Sequence, residues 1–238
     1  MKLSEVFSQL TYGELSQLNL GGAEAGAIDE ANYAAVVAHT NLALTALYKR
    51  FPLKENRVAF TLQTGRTTYP LDTDEDVLFI EDGSNPDFAN DILKIEKVMT
   101  VAEYELSLND ASNIYSCFTP SASVLRIPAI VATPTADLPI EYVTPSLTVV
   151  YRANHPILVH RTGFNPARVN LELPYTHLEP LLYFIASRVN NPIGMTNEFH
   201  AGNSYAAKYE QACALLEHRN LNVDQGSQNV RAVRNGWV

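Results

Sequence analysis

The side chains best suited to chemistry in this 238-residue chain are its acids, histidines and cysteines, and they do not stand at the spacings that known reactions need. The run LDTDEDV puts Asp72, Asp74 and Asp76 at alternate positions, as a calcium loop does. Such a loop also needs glycine at its sixth position and glutamate at its twelfth, where Val77 and Gly83 stand, so a solvated turn is the expectation. His39, His155, His160, His177, His200 and His218 form no HExxH pair and no metal-ligand spacing. Cys117 and Cys213 match no CxxC pattern, which leaves reduced core thiols. No nucleophile elbow, P-loop or dinucleotide fingerprint occurs, and LGGAEAG lacks the preceding strand that would make its glycines a phosphate cradle. Nothing in these spacings specifies a reaction or a metal site.

Recognition is the remaining source of function. The only tryptophan, Trp237, sits second from the end in QNVRAVRNGWV, a segment with neither helical nor strand periodicity. Terminal residues are usually small and polar, because a frayed end has nothing to bury a large ring against. Val230, Val233, Trp237 and Val238 alternate here with Arg231 and Arg234, as in an arm that orders on a partner, with Trp as anchor and Arg as directional donor. The alternative is that Trp237 tucks back onto its own subunit. Twelve tyrosines leave a similar pair of readings for Tyr33, Tyr48, Tyr183, Tyr205 and Tyr209: core and margin, or subunit contact.

Composition frames these choices. At 46% hydrophobic and 18% charged, the chain can bury one substantial core and a second, smaller one. A formal charge of −9 argues against nonspecific nucleic-acid binding, which needs clustered Lys and Arg. No apolar run reaches the roughly 18 residues of a membrane span, and MKLSEVFSQL does not read as a signal peptide, so a cytosolic origin is expected.

The elements that would position any surface follow from periodicity. SEVFSQL predicts a short helix with Ser4 as N-cap, followed by glycine-rich breakage. From Asp29, a second N-cap candidate, Tyr33, Val36, Val37, Ala43, Leu44, Leu47, Tyr48 and Phe51 fall on one helical stripe, with Lys49, Arg50 and Pro52 at its end. Between 54 and 160 the pattern turns to short strands: RVAFTLQ, TTYPL, VLFIED, ILKIEKVMTV, EYELSL, SVLRIP and LTVVYRA. Alternation in ILKIEKV, Ile92, Lys94 and Glu96 against Leu93, Ile95 and Lys97, predicts an antiparallel sandwich or barrel. Helical spacing returns at Leu178, Leu181, Leu182, Ile185, Ala186 and Val189, opened by Thr176 with Glu179. A last helix from about Thr196 to His218 carries Tyr205, Tyr209, Ala212, Cys213 and Leu216.

The fold expected is therefore α+β: a helical bundle made by the long N-terminal helix and a C-terminal helical hairpin, an inserted antiparallel β domain, and an extended C-terminal arm. The boundaries are 1–53 for the first bundle helices, 54–160 for the β domain, 161–221 for the hairpin and 222–238 for the arm.

That order, with LTVVYRANHPIL closing the β domain and then LELPYTHLEPLLYFIASRVNN, YAAKYEQAC and a polar tail ending NGWV, resembles the head-to-tail adaptors of short-tailed bacteriophages. The likeness rests on domain order and on Glu172, Leu173, Pro174, Leu178, Leu182, Ile185, Ala186, Tyr205, Tyr209 and Glu210. The resemblance implies a structural virion protein with no cofactor and no enzymatic activity, made in the host cytoplasm and placed at the head-tail interface. It implies a homo-oligomeric ring, usually a dodecamer, bound to the portal protein on one side and to a tail or nozzle protein on the other. DNA passes through such a ring without specific binding, and an acidic wall suits that passage. Portal contact would fall to the arm residues Val230, Arg231, Val233, Arg234, Trp237 and Val238. The runner-up is another virion or surface binding module whose β domain recognises a protein or glycan.

Overall fold

The computed structural model describes residues 1–16, 28–80, 88–133, 138–190 and 197–219, with side chains in the last segment described from 202 onward. Helices and two antiparallel sheets make the protein α+β, in two compact units: one formed from Met1–Leu53 with His155–Val238, the other from Lys54–Asn154.

In the first unit, α1 (Leu3–Tyr12) buries Leu3, Val6, Phe7 and Leu10. Its N-cap is Lys2 and not Ser4: the Glu5 carboxylate accepts the Lys2 backbone N–H at 3.1 Å, and the Ser4 carbonyl accepts the Ser8 hydroxyl. The stretch ahead of it is held by Leu171 N–H to Met1 O at 2.8 Å and Leu3 N–H to Val169 O at 3.0 Å. Helix α2 (Tyr33–Arg50) buries Val36, Val37, Ala43, Leu44, Leu47 and Tyr48 of the expected stripe, while Tyr33 is half-buried. Asp29 caps a 3-10 turn, Glu30–Asn32, that leads into α2, and does so without a side-chain hydrogen bond.

The element α3 (Ala129–Ala132) is a single turn in the β unit. Helix α4 (Leu178–Val189) follows another 3-10 turn, Tyr175–His177, so Thr176 lies inside that turn and His177 takes the cap position. Pro174, just before, favours the extended backbone that starts such a turn. Helix α4 buries Leu181, Leu182, Ile185 and Ala186 and packs against α1, α2 and α5 (Asn197–His218). Among the described residues of α5 the buried side chains are Tyr209, Cys213 and Leu216. Arg50, closing α2, ties α5 down through Glu210 at 2.6 Å and Glu217 at 2.7 Å.

The β unit holds a five-stranded sheet, ordered β3-β1-β8-β4-β5, and a three-stranded one, β2-β7-β6. The first comprises β1 (Glu55–Thr61), β3 (Phe79–Ile80), β4 (Ile92–Thr100), β5 (Glu105–Leu106) and β8 (Ser146–Ala153); the second comprises β2 (Thr68–Pro70), β6 (Phe118–Ser121) and β7 (Val124–Arg126). The first and last strands pair along their whole length, Glu55 opposite Arg152 through Thr61 opposite Ser146, and Ala153 N–H reaches Lys54 O at 3.0 Å. The unit thus begins and ends at one place, which lets it interrupt a helical chain without stretching it. Its boundary falls at Asn154, not at 160. Both sheets feed one core, including Phe60, Tyr69, Leu125, Leu147, Val149 and Tyr151.

Strand β4 departs from the expected alternation. Register shifts between Ile92 and Lys94 and between Ile95 and Lys97 insert extra residues, so Ile95 and Val98 are both buried although three apart. Strand β6 was absent from the expected set: it carries Pro120, is mostly exposed and shows no alternation.

Candidate functional site

Two surfaces, one per unit, combine exposed apolar side chains with a backbone held in place. In the helical unit the first is the loop after His155. The Asn41 side chain reads Leu158 twice: its Nδ2 donates to Leu158 O and its Oδ1 accepts Leu158 N–H, both at 2.9 Å. The buried His155 ring sits edge-on to Tyr48, with Nδ1 at 2.8 Å from Pro156 O and Nε2 at 3.1 Å from Asn41 O and 3.2 Å from Thr45 Oγ1. With Leu158 pinned between them, Ile157 and Val159 remain 72% and 54% exposed. The loop closes in a turn in which Phe164 N–H meets Arg161 O at 3.0 Å, and Gly163 takes φ 75, a left-handed value that a side chain would oppose. Phe164 then lies against His160 and Tyr33, at 5.2 and 6.1 Å between ring centres.

The second surface lies in the β unit, where three tyrosines stack in series, Tyr142 buried in the core, Tyr115 half-buried and Tyr104 exposed. Tyr115 lies face to face with Tyr142 at 4.4 Å, and Tyr104 meets Tyr142 edge-on at 5.4 Å, their hydroxyls 3.3 Å apart. That hydroxyl contact, followed by burial and the nearby Glu141 carboxylate, pushes the Tyr142 phenol up to about 12. The support is local. Tyr104 sits at the end of the β4–β5 turn, where Thr100 N–H bonds Tyr104 O at 2.9 Å and Glu103 takes φ 59. Tyr142 ends a 3-10 turn, Ile140–Tyr142, and the following Thr144 hydroxyl accepts Val101 N–H at 3.4 Å and donates to Ser146 O at 2.6 Å. Around the tyrosines Ile140 is 87% and Val101 64% exposed, and Val143 and Ile114 are exposed as well. Beside Ile114 opens a cavity of about 430 Å³ lined by Phe118, Arg126, Ile127 and Pro128 among others.

Neither surface carries a reactive constellation. Among the described residues no cluster of three His, Cys, Asp or Glu side chains could hold a metal ion, and no helix is long and apolar enough to cross a membrane. At LDTDEDV, Asp72 Oδ1 is taken up by Asp74 N–H at 3.0 Å and Asn90 Nδ2 at 2.8 Å, an ordinary side-chain-stabilised turn. Burial pushes the Cys117 thiol up to about 12 and the Cys213 thiol up to about 11, the second despite the opposing Arg50 charge, so both are poor nucleophiles. Of the helix tyrosines, Tyr48 is buried with its hydroxyl on Glu172 O, and Tyr209 is buried. Tyr183 and Tyr205 line the margin beneath Lys208. The arm residues Val230, Arg231, Val233, Arg234, Trp237 and Val238 lie outside the described residues.

Sequence reasoning missed both surfaces, although charge marks them. From Tyr142 to Leu171 the chain contains no Asp or Glu, only Arg152, Arg161 and Arg168 as charged residues. From Val98 to Leu125 it contains no Lys or Arg, only Glu103, Glu105 and Asp110. Comparison with family models gives no match, and comparison with curated proteins gives none either.

Proposed function

We propose that this chain is a structural head-to-tail adaptor of a short-tailed phage virion, assembling as a closed ring under the portal and joining it to the tail. The observation carrying this reading is the division of the chain. Both flanks belong to one helical unit, and an antiparallel β unit is inserted between them, in the order of the family it resembles. In this reading α1, α2, α4 and α5 form the adaptor's helical bundle. A ring built from one repeated contact needs two different faces on each subunit, and two units with unlike surfaces supply them. The net charge of −9 suits a conduit that repels phosphates. The arm 222–238 docks on the portal through Val230, Arg231, Val233, Arg234, Trp237 and Val238, the last turn of the head-tail joint.

Electron microscopy of the purified protein mixed with its portal tests this. Portal-capped rings, dodecameric as in the resembled family, are expected; failure to bind the portal or to form rings refutes the adaptor. Removal of 229–238 should abolish attachment while leaving the melting temperature unchanged, and Trp237→Ala alone should weaken binding by about 2 kcal/mol or more. The cavity beside Ile114 favours the second reading, a binding module, which would appear as glycan or protein binding without ring formation.

A further inference from the structure

We propose that copies of this chain join through these two surfaces: the loop at Ile157, Val159 and Arg161 of one copy seats on the tyrosine platform of the next, at Tyr104, Val101 and Ile140 over the buried Tyr142. The proposal names the subunit contact of the ring described above and rests on that reading. The partner is a second copy because the two surfaces complement each other in charge and shape of chemistry. The loop sits in the stretch 155–171, whose charged residues are Arg161 and Arg168, in a protein of net −9. The platform's rim carries Glu103 and Glu141, and among the described residues neither has an ion-pair partner, nor does Arg161.

Apolar and aromatic chemistry match too. Two aliphatic side chains, displayed by a loop whose backbone Asn41 already fixes, lose little freedom on docking. Tyr104, 40% exposed and held edge-on by the buried Tyr142, offers with Ile140 and Val101 a surface that accepts both aliphatic side chains and an arginine guanidinium. The contact is heterologous, loop to platform, so each bound pair keeps one free platform and one free loop, on opposite members, and the series can close as a ring.

Disulfide trapping in the full chain tests it. One variant carries Val159→Cys and another Ile140→Cys; the buried native thiols, pushed up to about 12 and 11, stay out of the reaction. Diamide takes two protons and two electrons from the paired thiols, leaving one S–S bond between copies. A mixed disulfide well above that of a Tyr12→Cys control is expected when the variants are combined. The double variant should give a ladder of cross-linked multimers. No enrichment over the control, or a double variant that closes its disulfide within one chain, overturns the contact.

A charge exchange gives a second readout. Arg161→Glu should lower self-association at least tenfold with an unchanged melting temperature, and pairing it with Glu141→Arg should restore it; absence of restoration overturns the orientation. Portal-capped rings that form without this cross-link leave the adaptor reading standing and remove this contact. Cross-linked copies that ignore the portal do the reverse.

Discussion

The helical unit and the β unit bury comparable kinds of side chain by different rules. On α2 and α4 the buried positions, Pro180 excepted, follow from a spacing of three or four, because the helix repeats its own geometry. In the β unit, β4 shifts register twice, β3 and β5 are two residues long, and burial depends on which strand lies opposite. Short edge strands also protect the five-stranded sheet from open-ended pairing. The difference teaches that the helical unit stores its structure in local pattern, whereas the β unit stores it in long-range pairing of its first and last strands. The surfaces divide as well, since the pinned loop belongs to a stretch without acids and Tyr104 and Tyr115 of the platform to a stretch without Lys or Arg.

The sharpest way to break this comparison is to empty each core in turn. Leu182 is 7% exposed among the α4 contacts, and Leu147 is fully buried on central strand β8. Leu182→Ala and Leu147→Ala should each cost roughly 2 to 5 kcal/mol, through lost burial and an unfilled cavity. Urea midpoints measured for both variants check this. An unchanged midpoint for Leu182→Ala would mean that α4 does not bury its stripe, and the same result for Leu147→Ala would reject β8 as the centre of the β core.

What the sequence made legible follows the same line. The apolar stripes of α2, α4 and α5 were readable because their period is local, and even Tyr48 and Tyr209 fell on the buried side. Helix starts were less so: Asp29 and Thr176 look like caps, yet each belongs to a 3-10 turn set by tertiary contact. Strand β6 was invisible because an exposed edge segment with a proline has no pattern to show. The β boundary falls at Asn154, just past the strand LTVVYRA, and the residues to 160 belong to the helical unit because the Asn41 side chain, more than a hundred residues away, holds Leu158 in a displayed loop. The tyrosine platform was missed for the same reason, since Tyr104, Tyr115 and Tyr142 come together only in space.

Acid should separate the units next, with a smaller effect. All six histidines lie outside Lys54–Asn154, and the two with a lowered pKa, His39 and His177, belong to the helical unit. His177 is fully buried, edge-on to Phe51 at 4.7 Å, with Nδ1 at 3.0 Å from the Thr176 hydroxyl and no hydrogen-bond partner at Nε2. Burial holds its pKa below the ordinary 6.5, and burial followed by the Arg188 charge does the same at His39. The unfolded chain therefore binds a proton at a pH where the folded chain does not. Stability is complete above about pH 6.5 and falls below it, by up to about 1.4 kcal/mol per pH unit for each such group, until the lowered folded pKa is reached. Urea midpoints at pH 7.5 and 5.5 measure this, and His177→Phe should flatten the dependence. An equally steep dependence in that variant would show that His177 is not a source of the acid sensitivity.

The smallest effect expected is at the Arg50 fork, where the helical unit depends on charge and not on burial. Arg50 reaches Glu210 and Glu217 across from α2 to α5, and its hydrogen bond is the first cause that holds the Glu217 carboxyl below the usual glutamate range. The two carboxylates are substantially exposed, so the surrounding water screens the pairs. Arg50→Met keeps most of the aliphatic stem and should cost about 1 kcal/mol or less at neutral pH. Because the folded pKa of Glu217 is depressed, its contribution is present above the unfolded value of about 4.3 and disappears as pH falls through the folded one. The difference between wild type and Arg50→Met should therefore shrink in acid, and it should shrink in molar salt as well. Thermal melting of both proteins across pH and salt checks it. A deficit that persists unchanged in acid and salt would assign Arg50 to packing against Phe51, whose ring lies 6.0 Å from its guanidinium, and would make the α2–α5 contact as apolar as the cores on either side of the comparison.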